Sequence, residues 1–171
     1  GVVEVYLVGS TEASEKCEVN LSAGTGSCSL TLKSAGTSRQ IEAKYLGNYD
    51  KFSGSTSPIK TQKVDPAPTT ITIFEVLPST IKVKQEVTFK VRVTADTLNT
   101  LRPTGTFRIR LGDDTLLCSG TLNSGSSEGE CKFTFTTQGN RVIKAVYEGN
   151  TDYLTSTTAS TTTVVVGKAD S

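Results

Sequence analysis

Serine, lysine, cysteine and carboxylate side chains are all available in this 171-residue chain, but histidine is not. Without an imidazole there is no Ser-His-Asp or Cys-His pair to activate a nucleophile, and no His-containing metal site. Two Ser-x-x-Lys strings, Ser57-Pro-Ile-Lys60 and Ser79-Thr-Ile-Lys82, keep the spacing at which a lysine assists a serine in penicillin-binding enzymes. That spacing works on a helix, where positions i and i+3 share a face. Both strings read as extended, where those positions face opposite ways. The chain is therefore expected not to be an enzyme and to use no cofactor.

The four cysteines offer a different chemistry. Cys17 and Cys28 flank the turn Ala23-Gly24-Thr25-Gly26, and Cys118 and Cys131 flank Ser124-Gly125-Ser126-Ser127. Folding each segment about its turn brings its two sulfurs opposite one another, which predicts the disulfides Cys17–Cys28 and Cys118–Cys131 in two hairpins. Zinc is the weaker reading, since there is no histidine and no Cys-x-x-Cys. Oxidised cysteines imply an extracellular or cell-surface location.

Ligand-binding candidates are fewer. Asp113-Asp114, Asn48-Tyr-Asp50 and Asn150-Thr-Asp152 place oxygen donors in loops, a calcium pattern that turn formation explains more cheaply. Phe89, Phe107, Phe133, Phe135, Tyr45 and Tyr147 fall on inward phases of their segments. That leaves only Tyr6, Tyr49, Phe74 and Tyr153 to form a sugar platform, with no tryptophan. Lys90, Arg92, Arg108 and Arg110 alternate outward on two strands; if these share one sheet, they form a basic stripe suited to an acidic polysaccharide or another surface ligand. A solvated sheet face is the plainer reading of the same four residues.

These residues sit in a pattern that occurs twice. Residues 17–57 run Cys17…Gly24…Cys28…Gly36…Ile41…Tyr45-Leu-Gly47-Asn48…Phe52…Ser55. Residues 118–158 repeat it as Cys118…Gly125…Cys131…Gly139…Ile143…Tyr147-Glu-Gly149-Asn150…Tyr153…Ser156. Alternation over 70–75, 85–94 and 107–111, then around Cys118, Cys131, Ile143–Tyr147 and Val164–Val166, predicts seven or eight strands in residues 69–167, a complete antiparallel sandwich. The Ser/Thr run 155–163 reads as the lead into the last strand. Residues 1–64 are the back half of such a module. Val3, Val5 and Leu7 align with Phe107, Ile109 and Leu111, so two front strands are expected to be missing. Either they belong to residues upstream, or another chain supplies them by strand exchange. Residues 65–68, Asp65-Pro66-Ala67-Pro68, read as a stiff extended linker.

Composition narrows the classes further. A net charge of +1 gives no field for nucleic acid, and no apolar run is long enough to span a membrane. With no methionine and an opening that reads as mid-strand, the chain is expected to be a piece of a longer protein.

The run Pro103-Thr104-Gly105-Thr106-Phe107, the Cys-x-Leu/Phe-Thr-Leu/Phe segments, the Ala-x-Tyr-x-Gly-Asn segments and the aromatic-x-x-Ser that follows resemble bacterial immunoglobulin-like repeat domains. The resemblance covers 69–167 in full and 1–64 as a truncated copy. It implies an all-β fold of tandem immunoglobulin-like antiparallel sandwiches, the first incomplete, in a secreted or surface-attached bacterial protein. Such modules serve as stalks, spacers or adhesive tips, so the expected partners are neighbouring modules of the same chain. No binding residues are shared across the family to carry over to this one.

Overall fold

The computed structural model of the chain describes residues 1–48, 50–96 and 102–169. Its contacts separate two compact units, Gly1–Pro66 and Ala67–Ser171. Both are built of strands, as a composition rich in Thr, Ser and Val favours. No helix among the described residues is long and apolar enough to cross a membrane.

The first unit contains β1 (Val2–Leu7), a 3₁₀ turn (Ala13–Glu15), β2 (Lys16–Asn20), β3 (Gly36–Tyr45), β4 (Ser55–Thr56) and β5 (Lys60–Val64). All five strands lie in one sheet, ordered β2-β1-β3-β4 with β5 also on β3. Register places Val3 between Val19 and Tyr45, and Val5 between Cys17 and Ala43, so these apolar side chains share one face. Leu7 is the one apolar residue fully buried among those described in this unit. Tyr45, expected in a core, is only half-buried, because among the described residues of this unit no second sheet covers its face.

The second unit contains β6 (Thr69–Leu77), β7 (Ile81–Lys82), β8 (Glu86–Ala95), β9 (Gly105–Leu111), β10 (Leu116–Leu122), β11 (Glu128–Thr134), β12 (Gly139–Tyr147), β13 (Ser156–Thr157) and β14 (Thr162–Gly167). Strands β10-β9-β12-β14-β7, with β13 on β12, form one sheet; β11-β8-β6 form the other. The core lies between them. Val87, Phe89, Val91 and Val93 of β8 are buried against Phe107 and Ile109 of β9 and Ile143, Ala145 and Tyr147 of β12. Each large apolar side chain enclosed this way contributes roughly 1.5–3 kcal/mol. Strict alternation of β8 into this core follows from its place between β6 and β11, with one face in and one out.

Three details depart from the sequence reading. β14 pairs with β7 in parallel, so the sandwich is not wholly antiparallel. Half of the expected 65–68 linker belongs to the second unit: the Ala67 N–H donates to the Asp152 carbonyl at 2.8 Å, and the Leu154 N–H donates to the Ala67 carbonyl at 2.8 Å. Tyr153, expected near a loop surface, is buried beside Ala67 as a result.

The turn between β10 and β11 does not make a ladder. Its tip is bonded, by the Asn123 N–H to the Glu128 carbonyl at 2.7 Å and the Ser127 N–H to the Asn123 carbonyl at 2.8 Å, and the two arms enter different sheets. The Phe107 ring fills the corner between them. A Cβ on Gly129 would lie 2.5 Å from that ring and 2.7 Å from the Thr121 carbonyl, and one on Gly120 would lie 2.6 Å from the Glu130 carbonyl. Gly129→Ala should therefore destabilise the second unit by about 1–3 kcal/mol. Urea unfolding of the full chain will show this as a lower midpoint of one transition; an unchanged midpoint would mean that the corner yields freely.

Candidate functional site

The four basic residues singled out by the sequence do not make one stripe. Lys90 and Arg92 are on β8 in the three-stranded sheet, whereas Arg108 and Arg110 are on β9 in the six-stranded one. The two pairs therefore face outward from opposite sides of the core, because each alternates with residues that point into it. Each is also engaged. Lys90 meets Glu75 at 2.6 Å, Arg92 meets Glu128 at 2.6 Å, and Arg108 meets Glu148 at 3.2 Å. The Arg110 guanidinium donates to the Asp114 carbonyl at 2.8 Å. Glu75 beside Lys90 raises the ammonium above its ordinary range, holding it charged.

Arg92 has a second partner that the sequence did not reveal. Phe74 sits where β6 slips register between Ile73 and Glu75, and the Arg92 guanidinium carbon lies 5.0 Å from the centre of its ring. An exposed stack of this kind is worth about 0.5–1 kcal/mol. A hollow of about 290 Å³ beside it is lined by Phe74, Lys90, Glu128, Gly129 and Glu130. The remaining candidate aromatics are dispersed. Tyr6 donates to Glu42 on the neighbouring strand, Tyr153 is buried, and Tyr49 lies outside the described residues.

The oxygen-rich loops are committed to turns. Asp113 accepts the Thr115 N–H at 3.0 Å, which lowers its pKa, while Asp114 adopts a left-handed φ of 70° and binds Lys144 at 2.7 Å. The Asn150 side-chain oxygen accepts the N–H groups of Asp152 and Tyr153, and its amide donates to the Thr104 carbonyl at 3.1 Å. The Tyr147 hydroxyl donates to that same carbonyl at 2.6 Å. No cluster of three or more acidic or thiol side chains is gathered for a metal among the described residues. Ser57 and Ser79 lie outside any helix, and the Ser57 hydroxyl accepts the Ala43 N–H at 3.0 Å.

Cysteine chemistry is what the arrangement retains. Cys17 is bonded to Cys28 and Cys118 to Cys131. The second bond does not close a hairpin, as the sequence suggested. It joins β10 of one sheet to β11 of the other, because the arms of that turn diverge. In the first unit, Cys17 is on β2 and Cys28 lies in a segment without strand pairing.

That segment has a support with no counterpart in the sequence reading. Glu15 is buried at the 3₁₀ turn, where its carboxylate accepts the Lys33 N–H at 2.9 Å and the Ser10 hydroxyl at 2.5 Å, with Arg39 at 3.7 Å. The Thr31 N–H donates to the Ser14 carbonyl at 2.9 Å beside it. Burial pushes the Glu15 pKa up, but the two hydrogen bonds and the Arg39 and Lys33 charges outweigh it, and the net shift is downward. A depressed folded-state pKa contributes stability that is present above the unfolded value and lost as pH falls through the folded one. The first unit should lose thermal stability on acidification below about pH 4.5. Glu15→Gln should be less stable at neutral pH and show a flatter acid profile. Melting followed by NMR at Leu7 and Ala43 reports this unit separately; identical profiles for both proteins would remove Glu15 from the account.

A family model described as Bacterial Ig-like domain (group 3) matches residues 75–166. No curated protein matches the chain. Among solved structures, the fibronectin(III)-like modules of Clostridium thermocellum CbhA are similar, at 12% identity and a TM-score of 0.43, covering 98% of this chain and 78% of that one. With more than half of its residues matched, and with the two packed sheets those residues form, the chain belongs to the bacterial Ig-like domain (group 3) family.

Proposed function

We propose that this chain is a non-enzymatic structural spacer in an extracellular or cell-surface bacterial protein, with neighbouring Ig-like modules as its partners. The observation that carries this reading is the parallel pairing of β7 with β14. Val166 lies opposite Ile81 and Gly167 opposite Lys82, and the Val83 N–H donates to the Gly167 carbonyl at 3.0 Å. β14 closes the unit and β7 directly follows its first strand, β6, so once β6 is peeled from β8 the load reaches this pair. A pull on the two ends therefore slides them along each other, loading their hydrogen bonds together in shear instead of opening them one at a time.

The disulfides support the same reading. Cys118–Cys131 locks a sequence separation of 13 residues against extension and ties the two sheets together. Bonded cysteines also suit an oxidising compartment outside the cytoplasm. The engaged state of Lys90, Arg92 and Arg108 lends nothing to a polyanion-binding role.

Force spectroscopy on the full chain tests the mechanical reading. Reduction should lengthen the second unit's unfolding step by about 45 Å, the extended reach of the residues released. Val83→Pro removes a donor at the β7–β14 contact, worth about 1 kcal/mol as a net hydrogen bond, and should lower the peak force while leaving the step length unchanged. Equal peak forces in the two proteins would sink the shear argument.

A further inference from the structure

In the second unit one contiguous stretch, Ala67–Ala95, does four things, and the first unit shows the matching place for each of them unserved. β8 pairs with the whole of β11, with Phe89 opposite Cys131 and Val87 opposite Phe133. The equivalent segment after Cys28, residues 29–33, has no strand assigned and is held instead by the 3₁₀ turn and Glu15. β7 lies along β14, whereas β5, the equivalent of β14, pairs only with β3 among the described strands. Ala67 covers Tyr153, which is 6% exposed; Phe52, at the same place in the repeat, is 66% exposed. The inward residues of β6 and β8 cover Phe107, Ile109, Ala145 and Tyr147 completely, while the equivalent Val3, Val5, Ala43 and Tyr45 are half-buried.

We infer that the apolar face of the first unit is a docking surface for a two-stranded β-hairpin of the Ala67–Ala95 type, contributed by a module of the same kind other than a second copy of this chain, whose own Ala67–Ala95 is already held in its own core. Four separate deficits answered by one segment specify its chemistry and its position. One strand carries aliphatic and aromatic residues at every second position and adds to the edge beside Cys28, with a large apolar residue opposite that cysteine. The other strand follows the first at the outer side, and a small residue ahead of it caps Phe52. The hairpin's crossing residues run parallel to Lys60–Val64, as Ile81–Lys82 run along β14. Register equivalence makes this placement specific: Val3 pairs with Tyr45 as Phe107 pairs with Tyr147, and Val5 with Cys17 as Ile109 with Cys118. The volume offered by the first unit is smaller at Leu30 and Leu32 than at the equivalent Phe133 and Phe135, so the hairpin it fits carries side chains at least as large as those of β8. The inference stands apart from the spacer reading, since a face of this kind is filled in the same way whatever the assembled protein does.

The test is to place a copy of residues 67–104 directly ahead of Gly1 in the otherwise intact chain, since Gly1 occupies the position of Gly105. Amide exchange read by mass spectrometry should slow at least about tenfold across 29–33 and 60–64, and the first unit should gain a cooperative unfolding transition. A second extended chain, whose copies of Val87, Phe89, Val91 and Val93 are all changed to Thr, keeps strand propensity but removes the apolar row; it should lose that protection. Titrating a synthetic peptide of residues 67–95 onto the unmodified chain gives an independent reading should the extended chain misfold, with protection expected in the same two segments. Unchanged exchange with both the extension and the peptide, or equal protection by the Thr-substituted copy, overturns the proposal. So does a dimer of the unmodified chain in which those segments are already protected, because a second copy would then be the occupant.

Discussion

The close approach of β10 to β11 around the Phe107 ring is the constraint on which the second unit depends. Two neighbouring strands of one turn must leave for different sheets, and their backbones can come near enough only because Gly120 and Gly129 lack a Cβ where the ring lies. The ring fills what the glycines leave open, and the Cys118–Cys131 bond crosses from sheet to sheet at the same corner. β11 is thereby delivered to β8, and β8 to the core. Burial of Val87, Phe89, Val91 and Val93 is a consequence of that hand-over.

The first unit shows the same backbone logic carried by other side chains. Val3 stands at the Phe107 position and Val19 at the Gly120 position, so volume removed from one strand is restored on its neighbour. A Cβ on Gly26 would meet the Val19 side chain at 2.6 Å, which keeps that glycine necessary. What differs is the far side of the sandwich. With no counterpart of β8 to hold it, the segment after Cys28 relies on a disulfide, a 3₁₀ turn and one buried carboxylate. Polar anchoring substitutes there for a ladder. It leaves most of the sheet's apolar face half-buried, with Leu7 enclosed.

Much of the fold was legible because alternation is a two-residue signal that needs no long-range information. The β8 row and the β9 and β12 core positions could be read in this way, and the partners of the four cysteines from the turn that each pair flanks. Sheet membership could not. Lys90 and Arg108 carry the same outward phase, and nothing local distinguishes two strands of one sheet from strands on opposite sides of a core. The parallel β7–β14 contact was hidden for the same reason, since Ile81–Lys82 is too short to show a period. Tyr153 was misjudged because the residue that covers it, Ala67, lies far away in sequence and looked like linker. Glu15 gave no signal at all: a lone glutamate near a turn is ordinary until its hydrogen bonds are seen.

The paired choices at the Phe107 corner also bear on how such repeats change over time. Repeated modules exchange segments readily by recombination, and a crossover falling between β9 and β10 would join Phe107 to a valine, or Val3 to a glycine. One product would be overfilled and the other would contain a void, each at a cost in stability. The span from the ring to the first glycine, residues 107–120, is therefore exchanged without cost only as a whole. Tolerated breakpoints fall outside it, so modules of this family should diversify by trading that block whole while their outward-facing residues drift independently.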